Sequence, residues 1–233
     1  MEKNTQKDIF NEIYKFDEEE ADSYTNIKFI EENVLLKPPV LEIGSGKGFV
    51  LDYFREKDVE ITGIEISEEA VNFIRKKNKN IKALIYNGID LPFGNESFNI
   101  ILSFDVLEHF ESVKKHLSEV RRILKANGVY AFQTPNKITN FPKEILFRGS
   151  IRNAKKFHPS VQTYCSLKNN LRNNGFDFKF IKNMPIISEE KYNSLCRKSR
   201  LWRFLAIVLS KIPSKIILMF LRPNFWVIAY KNS

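Results

Sequence analysis

Residues 40–48 read Val-Leu-Glu-Ile-Gly-Ser-Gly-Lys-Gly, a short apolar run that enters three glycines at alternate positions. A backbone without Cβ atoms can turn sharply there and approach a bound group closely. Phe49, Val50, Leu51, Tyr53 and Phe54 follow and predict a helix from Phe49 to Arg55 packed on the preceding strand. Strand, glycine turn and helix together open a nucleotide-binding α/β unit.

The spacing narrows the choice of nucleotide. A dinucleotide fingerprint needs G-x-G-x-x-G; here the third glycine, Gly48, comes one position early and Phe49 stands in the required place. A P-loop is excluded as well, because no Gly-Lys-Ser/Thr follows the turn. Glu42 precedes the first glycine by two residues, at a strand end where a carboxylate is costly to bury without a partner. Gly63-Ile-Glu-Ile-Ser67 closes a second strand, Val59–Ile64, and sets Glu65 where a carboxylate can accept from both hydroxyls of a ribose. Plainer readings stay open: a simple turn for the glycines, a helix-start acid before the Ser67 cap for Glu65, and a turn residue before Pro92 for Asp90.

With these residues the chain resembles the class I S-adenosylmethionine-dependent methyltransferases. Glu42-Ile-Gly-Ser-Gly-Lys-Gly48 resembles their first motif, which implies that Glu42, Gly44, Ser45, Gly46 and Gly48 hold the cofactor. Glu65, followed by Ile66, resembles their ribose-binding acid. Asn87-Gly-Ile-Asp90-Leu-Pro-Phe93 resembles the segment after the third strand, where Asp90 would meet the adenine amino group. Ser97–His109 resembles the fourth strand and the loop facing the methyl group, which adds Phe104 and Asp105 to the cofactor set. Leu124–Gly128 and then Val129–Gln133 resemble the helix-to-strand turn and the fifth strand. One glycine loop alone is weak evidence; five segments in order across residues 40–135 are not.

The resemblance implies an α/β, Rossmann-like fold with a seven-stranded, mostly parallel sheet. One strand is antiparallel, helices cover both faces, and S-adenosyl-L-methionine is the cofactor. The pattern agrees, with strands expected near 40–44, 59–64, 81–86, 98–104, 128–133, 176–183 and 225–231 and helices near 9–16, 26–36, 48–57, 67–78, 112–125 and 166–174. A single domain, 1–233, is expected. It comprises an N-terminal helical segment (1–37), a cofactor-binding core (38–135), an irregular, proline-bearing substrate lid (136–160) and a helical insertion (188–222) before the last strand. Tyr24 reads either as a cofactor contact from the N-terminal segment or as a structural aromatic.

An oxygen nucleophile must lose a proton, so a base beside the methyl group helps. Phe104-Asp-Val-Leu-Glu-His109 follows the fourth strand, and His109 is the candidate base or orienting group; a structural or cofactor-side histidine is the other reading. Thr134, Asn136 and His158 are candidate acceptor contacts around the lid. The leading reading has no metal. The run is also similar to that of ubiquinone-pathway O-methyltransferases, whose Glu-x-x-Glu-His is associated with magnesium, so Asp105, Glu108 and His109 form an alternative metal set.

Net charge is +9, unevenly spread: residues 1–141 carry 19 Lys/Arg and 24 Asp/Glu, residues 142–233 carry 18 and 4. The basic half suits lipid head groups, an anionic acceptor or nucleic acid, or is a solvated surface. Residues 201–222 are strongly apolar with basic punctuation and split at Pro213, and their longest apolar runs are six residues. A span needs about 20. Such a stretch suits an anionic membrane surface, a cap over a greasy acceptor, a contact between copies or plain packing. Cys165 and Cys196 are too few for a disulfide framework, and read as reduced and buried or incidental. The N-terminus lacks a signal-peptide core, so the cytoplasm is expected, with the inner membrane face as a second place. Methyl transfer to oxygen of a small or lipid-linked acceptor leads; RNA or protein methylation and a non-catalytic cofactor-binding scaffold are the alternatives. The Asn/Asp-Pro-Pro-Tyr/Phe signature of enzymes that methylate nucleic-acid amino groups is absent.

Overall fold

The strands β1 (Val40–Ile43), β2 (Ile61–Glu65), β3 (Lys82–Ile85), β4 (Phe98–Phe104), β5 (Leu124–Pro135), β6 (Phe176–Phe180) and β7 (Asn224–Lys231) make one sheet. Its order is β3-β2-β1-β4-β5-β7-β6. Pairings among β1 to β5 are parallel, and β7 runs antiparallel between β5 and β6. The computed structural model describes residues 6–16, 23–78, 80–186, 192–193, 197, 200–211, 213 and 217–232.

Period-2 alternation distributes the apolar residues to two cores, one on each face. Ile100, Leu102, Trp226 and Ile228 face one way, onto helices α2 (Ser23–Asn33), α3 (Phe49–Glu56) and α4 (Glu68–Lys77) through Phe29, Ile30, Leu51, Phe54 and Ile74. Leu41, Ile43, Ile101, Phe225 and Val227 face the other way, onto α5 (Val113–Ile123) and α8 (Tyr164–Asn173) through Leu117, Val120, Leu167 and Leu171. Helix starts are written locally: Ser67, Ser112 and Thr163 each cap a helix by accepting a backbone N–H, which satisfies an orphan donor of its first turn. The chain builds outward from β1 to β3 and then returns to β4 beside β1. This leaves a crevice at the C-terminal ends of β1 and β4, the point where open α/β sheets bind ligands.

Three stretches differ from expectation. Residues 136–160 are not irregular but carry α6 (Lys137–Arg148) and α7 (Ile151–Phe157). Asn136 caps α6 at Ile138 N–H, Gly149 ends it with φ 75°, and Ser150 caps α7 at Asn153 N–H. Pro142 lies inside α6, where it removes one backbone donor, and the helix nonetheless continues to Arg148. Leu124–Gly128 is not a turn before the fifth strand but part of it. Leu124 pairs with Phe98 and Val129 with Ile100, so the residues between bulge out, with Asn127 at φ 62°. In the expected insertion, a helix we call α9 spans Arg200–Lys211; Met219–Leu221 form a 3-10 turn rather than a second helix. Most of 188–199 and Cys196 lie outside the described residues, and Cys165 is an exposed free thiol rather than a buried one. Among the described residues no helix is long and apolar enough to cross a membrane.

Candidate active site

A cavity of about 1040 Å³ opens in the crevice. The glycine loop forms one wall. Gly44 has φ 74°, and a Cβ there would collide with Val106. Gly46 has φ 50° and turns its N–H to Glu65 Oε2 at 3.0 Å. Gly48 is the left-handed N-cap of α3 and packs against Ile74, off the cavity. The remaining walls come from Asn87–Ile89 after β3, from Phe104–Val106 with His109 after β4, and from the start of α5. A helix at the N-terminus, α1 (Gln6–Phe16), lies across the opening. Its Phe10 and Tyr14, one helical turn apart, enter the lining, and the Tyr14 hydroxyl would stand 3.0 Å from a Cβ on Gly46.

Of the residues singled out from sequence, Glu42, Gly44, Ser45, Gly46, Glu65, Ile66, Phe104, Asp105 and His109 line this cavity. Asp90 does not: its side chain is 63% exposed and pairs with Lys115 at 3.1 Å, while Asn87 to Ile89 take the cavity side. Thr134 is buried and donates to Glu108 Oε2 at 3.0 Å. Asn136 is buried as the α6 cap and donates to Phe220 O and Arg222 O. Both therefore serve the frame next to the cavity and not its lining. Tyr24 is 67% exposed and lies edge-on to Phe49, outside the lining.

Two buried carboxylates dominate the electrostatics. Glu65 accepts from Gly46 N–H through one oxygen and from Ile66 N–H (2.8 Å) and Ser67 N–H (3.1 Å) through the other. Burial pushes its carboxyl above the usual range, and those three donors oppose the shift. Glu42 has no such support. Its Oε2 is buried without a hydrogen-bond partner, and burial, with the Glu65 charge second, pushes its carboxyl up to about 8. A cavity lined by an orphan carboxyl, a second acid and a loop whose Gly44 and Gly46 carry no Cβ fits a ligand that is cationic at one end and hydroxylated at the other.

At the far side Asp105 takes a left-handed φ of 52°, a conformation that costs a non-glycine residue about 1–2 kcal/mol. Gln133 holds it there: Asp105 N–H donates to Gln133 Oε1 at 2.9 Å and Gln133 Nε2 returns a bond to Asp105 Oδ1 at 3.0 Å. Glu108 is 1% exposed, and burial and then Asp105 push its carboxyl well above the usual range. The His109 Nδ1 lies 2.9 Å from Phe157 O at the end of α7. A carbonyl only accepts, so Nδ1 carries the proton and Nε2 keeps the lone pair. Burial lowers the ring to about 3, which keeps it neutral. Phe10 meets it edge-on at 4.9 Å and the His158 ring stands 4.8 Å away. His158 lies outside the lining and faces Glu144 at 3.3 Å. Among the described residues Glu108, His109 and His158 bring ligand atoms within 4.8 Å of one another, whereas Asp105, expected in that set, is tied to Gln133.

Gln133, Phe10 and Tyr14 were absent from the sequence-based set. Tyr14 and Phe10 carry a faint signal in their i, i+4 spacing on an amphipathic helix. Gln133 carries none. His116 of α5 also lines the cavity; it is buried against the Tyr130 hydroxyl at 3.2 Å and is lowered to about 3 by burial.

Residues 41–132 match the family model described as a methyltransferase domain. A protein of Mycolicibacterium smegmatis designated a probable S-adenosylmethionine-dependent methyltransferase is 30% identical over 103 residues, 44% of this chain and 40% of the relative. The chain thus spans less than half the length of that relative. Among solved structures, the YcgJ protein of Bacillus subtilis superposes with a TM-score of 0.61 at 17% identity, over 90% of this chain and 98% of that one. Geranyl diphosphate C-methyltransferase of Streptomyces coelicolor, solved with Mg2+, geranyl diphosphate and S-adenosyl-L-homocysteine, gives 0.64 at 13% identity, over 94% and 88%. At such identities the likeness is one of fold.

Proposed function

We propose that this chain, whose residues 41–132 match a methyltransferase domain, is a class I S-adenosylmethionine-dependent enzyme that transfers a methyl group to an oxygen of a small or lipid-like acceptor. The observation that carries this reading is the orphan Glu42 carboxyl beside the Gly46–Glu65 clasp in one cavity. Glu65 and Glu42 would hold the ribose and the cationic part of S-adenosylmethionine, against the glycine loop. When bound, that cofactor supplies an already activated sulfonium methyl. The protein's remaining work is to align a nucleophile and exclude water. Phe104, Val106 and Phe110 give the cavity apolar wall, and α1 covers it.

His109 suits an orienting role. A ring lowered to about 3 does not store a proton at neutral pH, but its bare Nε2 accepts a hydrogen bond and can aim an acceptor hydroxyl. His109→Ala is expected to lower kcat by roughly 100-fold while cofactor affinity changes little. Stopped assays and calorimetry on the same preparation check this, and full turnover would remove His109 from the reaction. The acceptor class is read by incubating the chain with methyl-labelled cofactor and cell extract. Label on an extractable ether or ester supports the reading; label on nitrogen, RNA or protein refutes it.

An anionic membrane surface reached through 201–222 belongs to the same reading. Phe204 and Val208 of α9 are exposed, with basic Arg203 and Lys211 on the same helix. Such a surface would place the enzyme at a membrane face inside the cell.

A further inference from the structure

Helix α6 has five large apolar residues, Ile138, Phe141, Ile145, Leu146 and Phe147, and buries none of its residues. Leu146 and Phe147 are 86% and 79% exposed, and Ile151 at the start of α7 is 55% exposed. The 3-10 turn after α9 adds to this surface. Asn136 Nδ2 donates to Phe220 O and Arg222 O, and Thr139 Oγ1 donates to Arg222 O; these bonds fasten the turn to the first turn of α6. Leu218, Phe220 and Leu221 there are also exposed. Single exposed apolar residues are ordinary, but a helical hairpin and an adjoining turn that together leave this many uncovered mark an interaction surface.

Charge selects the partner. From Lys137 to Phe157 the chain has basic residues at 137, 143, 148, 152, 155 and 156 and a single acid, Glu144, which faces Arg148 and His158. Lys137, Lys143, Arg152, Lys155 and Lys156 are exposed. A second copy docked face to face would set these like charges against each other. Nucleic acid would satisfy the charge and leave Leu146, Phe147 and Ile151 in water. An anionic bilayer satisfies both, with apolar side chains entering the head-group boundary and lysines and arginines meeting lipid phosphates. The geometry points to docking of the α6–α7 hairpin, with residues 218–221, on an anionic lipid surface. The hairpin ends at Phe157, whose carbonyl holds His109, so docking sets the lipid beside the rim of the cavity. This rests on the membrane contact proposed for 201–222 and extends it from α9 to the α6–α7 hairpin, and binding is read without turnover.

The test is flotation of the full chain with vesicles of phosphatidylcholine alone and of equimolar phosphatidylglycerol and phosphatidylcholine. Three proteins are compared: the intact chain, Leu146→Ser/Phe147→Ser, and Phe204→Ser/Val208→Ser. All these positions are exposed, and unchanged melting and cofactor binding serve as the control for folding. The expected result is binding of the intact chain to anionic vesicles only, weakened roughly tenfold or more by Leu146→Ser/Phe147→Ser. Added salt should weaken it too. No binding by the intact chain overturns both membrane contacts. Binding lost only in Phe204→Ser/Val208→Ser overturns the hairpin and keeps α9. A dimer in solution that Leu146→Ser/Phe147→Ser dissolves, without vesicle binding, assigns the face to a second copy and also overturns the proposal.

Discussion

Glu65→Ala is expected to weaken S-adenosylmethionine binding by at least about a hundredfold and to destabilise the cofactor-free chain by about 2–4 kcal/mol. The two effects have one origin. Glu65 accepts three backbone N–H bonds, from Gly46, Ile66 and Ser67, and so ties the glycine loop to the end of β2. Burial outweighs these donors for the charge itself and holds the carboxyl above its usual range, so the destabilisation comes from the three backbone N–H groups left without an acceptor, each worth about 1–3 kcal/mol. The oxygens that hold the loop also line the cavity, where hydroxyls of the cofactor's ribose would meet them. Calorimetry and urea unfolding of the same variant read both quantities. Unchanged affinity would leave Glu65 as a helix-start acid and no more.

Glu42→Gln should act in the opposite direction on stability, raising that of the cofactor-free chain at pH 7 by roughly 1–3 kcal/mol, the proton-linkage gain less the cost of a buried amide N–H without an acceptor. Glu42 and Glu65 are both buried in one cavity, yet only Glu65 has donors. The sign follows from proton counting. Below about pH 4.5 Glu42 is protonated in the folded and the unfolded chain alike. Between that point and about 8, the unfolded chain has released its proton while the folded chain retains it, so stability falls as pH rises through this window. Glutamine has no proton to lose, and the slope due to residue 42 disappears. The same change should weaken binding of a cationic cofactor, because the counter-charge is gone. Urea unfolding at pH 5 and pH 8 checks the first effect; equal pH dependence in both proteins would show that Glu42 ionises normally in the fold.

The glycine loop and the acid at the next strand end are legible in the sequence because their requirements are local. A strand, a glycine-rich turn and a helix must follow one another directly, so residues 40–56 announce themselves, and Glu65 lies one crossover later at the next strand end. The parallel part of the sheet follows from the alternation of strands and helices, and its one antiparallel strand from the family resemblance. What sequence missed depends on distant approach. Gln133 holds the left-handed Asp105 from a neighbouring strand, 28 residues away. Phe10 reaches His109 only because α1 folds back across the opening. Asp90 has the right spacing but turns to Lys115 on α5, a partner that no local pattern reveals. The hairpin α6–α7 is hidden in the sequence because prolines at 135, 142 and 159 mask the caps at Asn136, Gly149 and Ser150 that define it.

That the cavity beside Gly46 and Glu65 holds S-adenosylmethionine is tested most directly by titrating the intact chain with that compound in a calorimeter. The account predicts saturable binding to a single site, competed by S-adenosylhomocysteine and accompanied by proton release at pH 7, seen as a heat that changes with the buffer, as Glu42 gives up its proton to a cationic ligand. A folded chain that takes up no S-adenosylmethionine would contradict it.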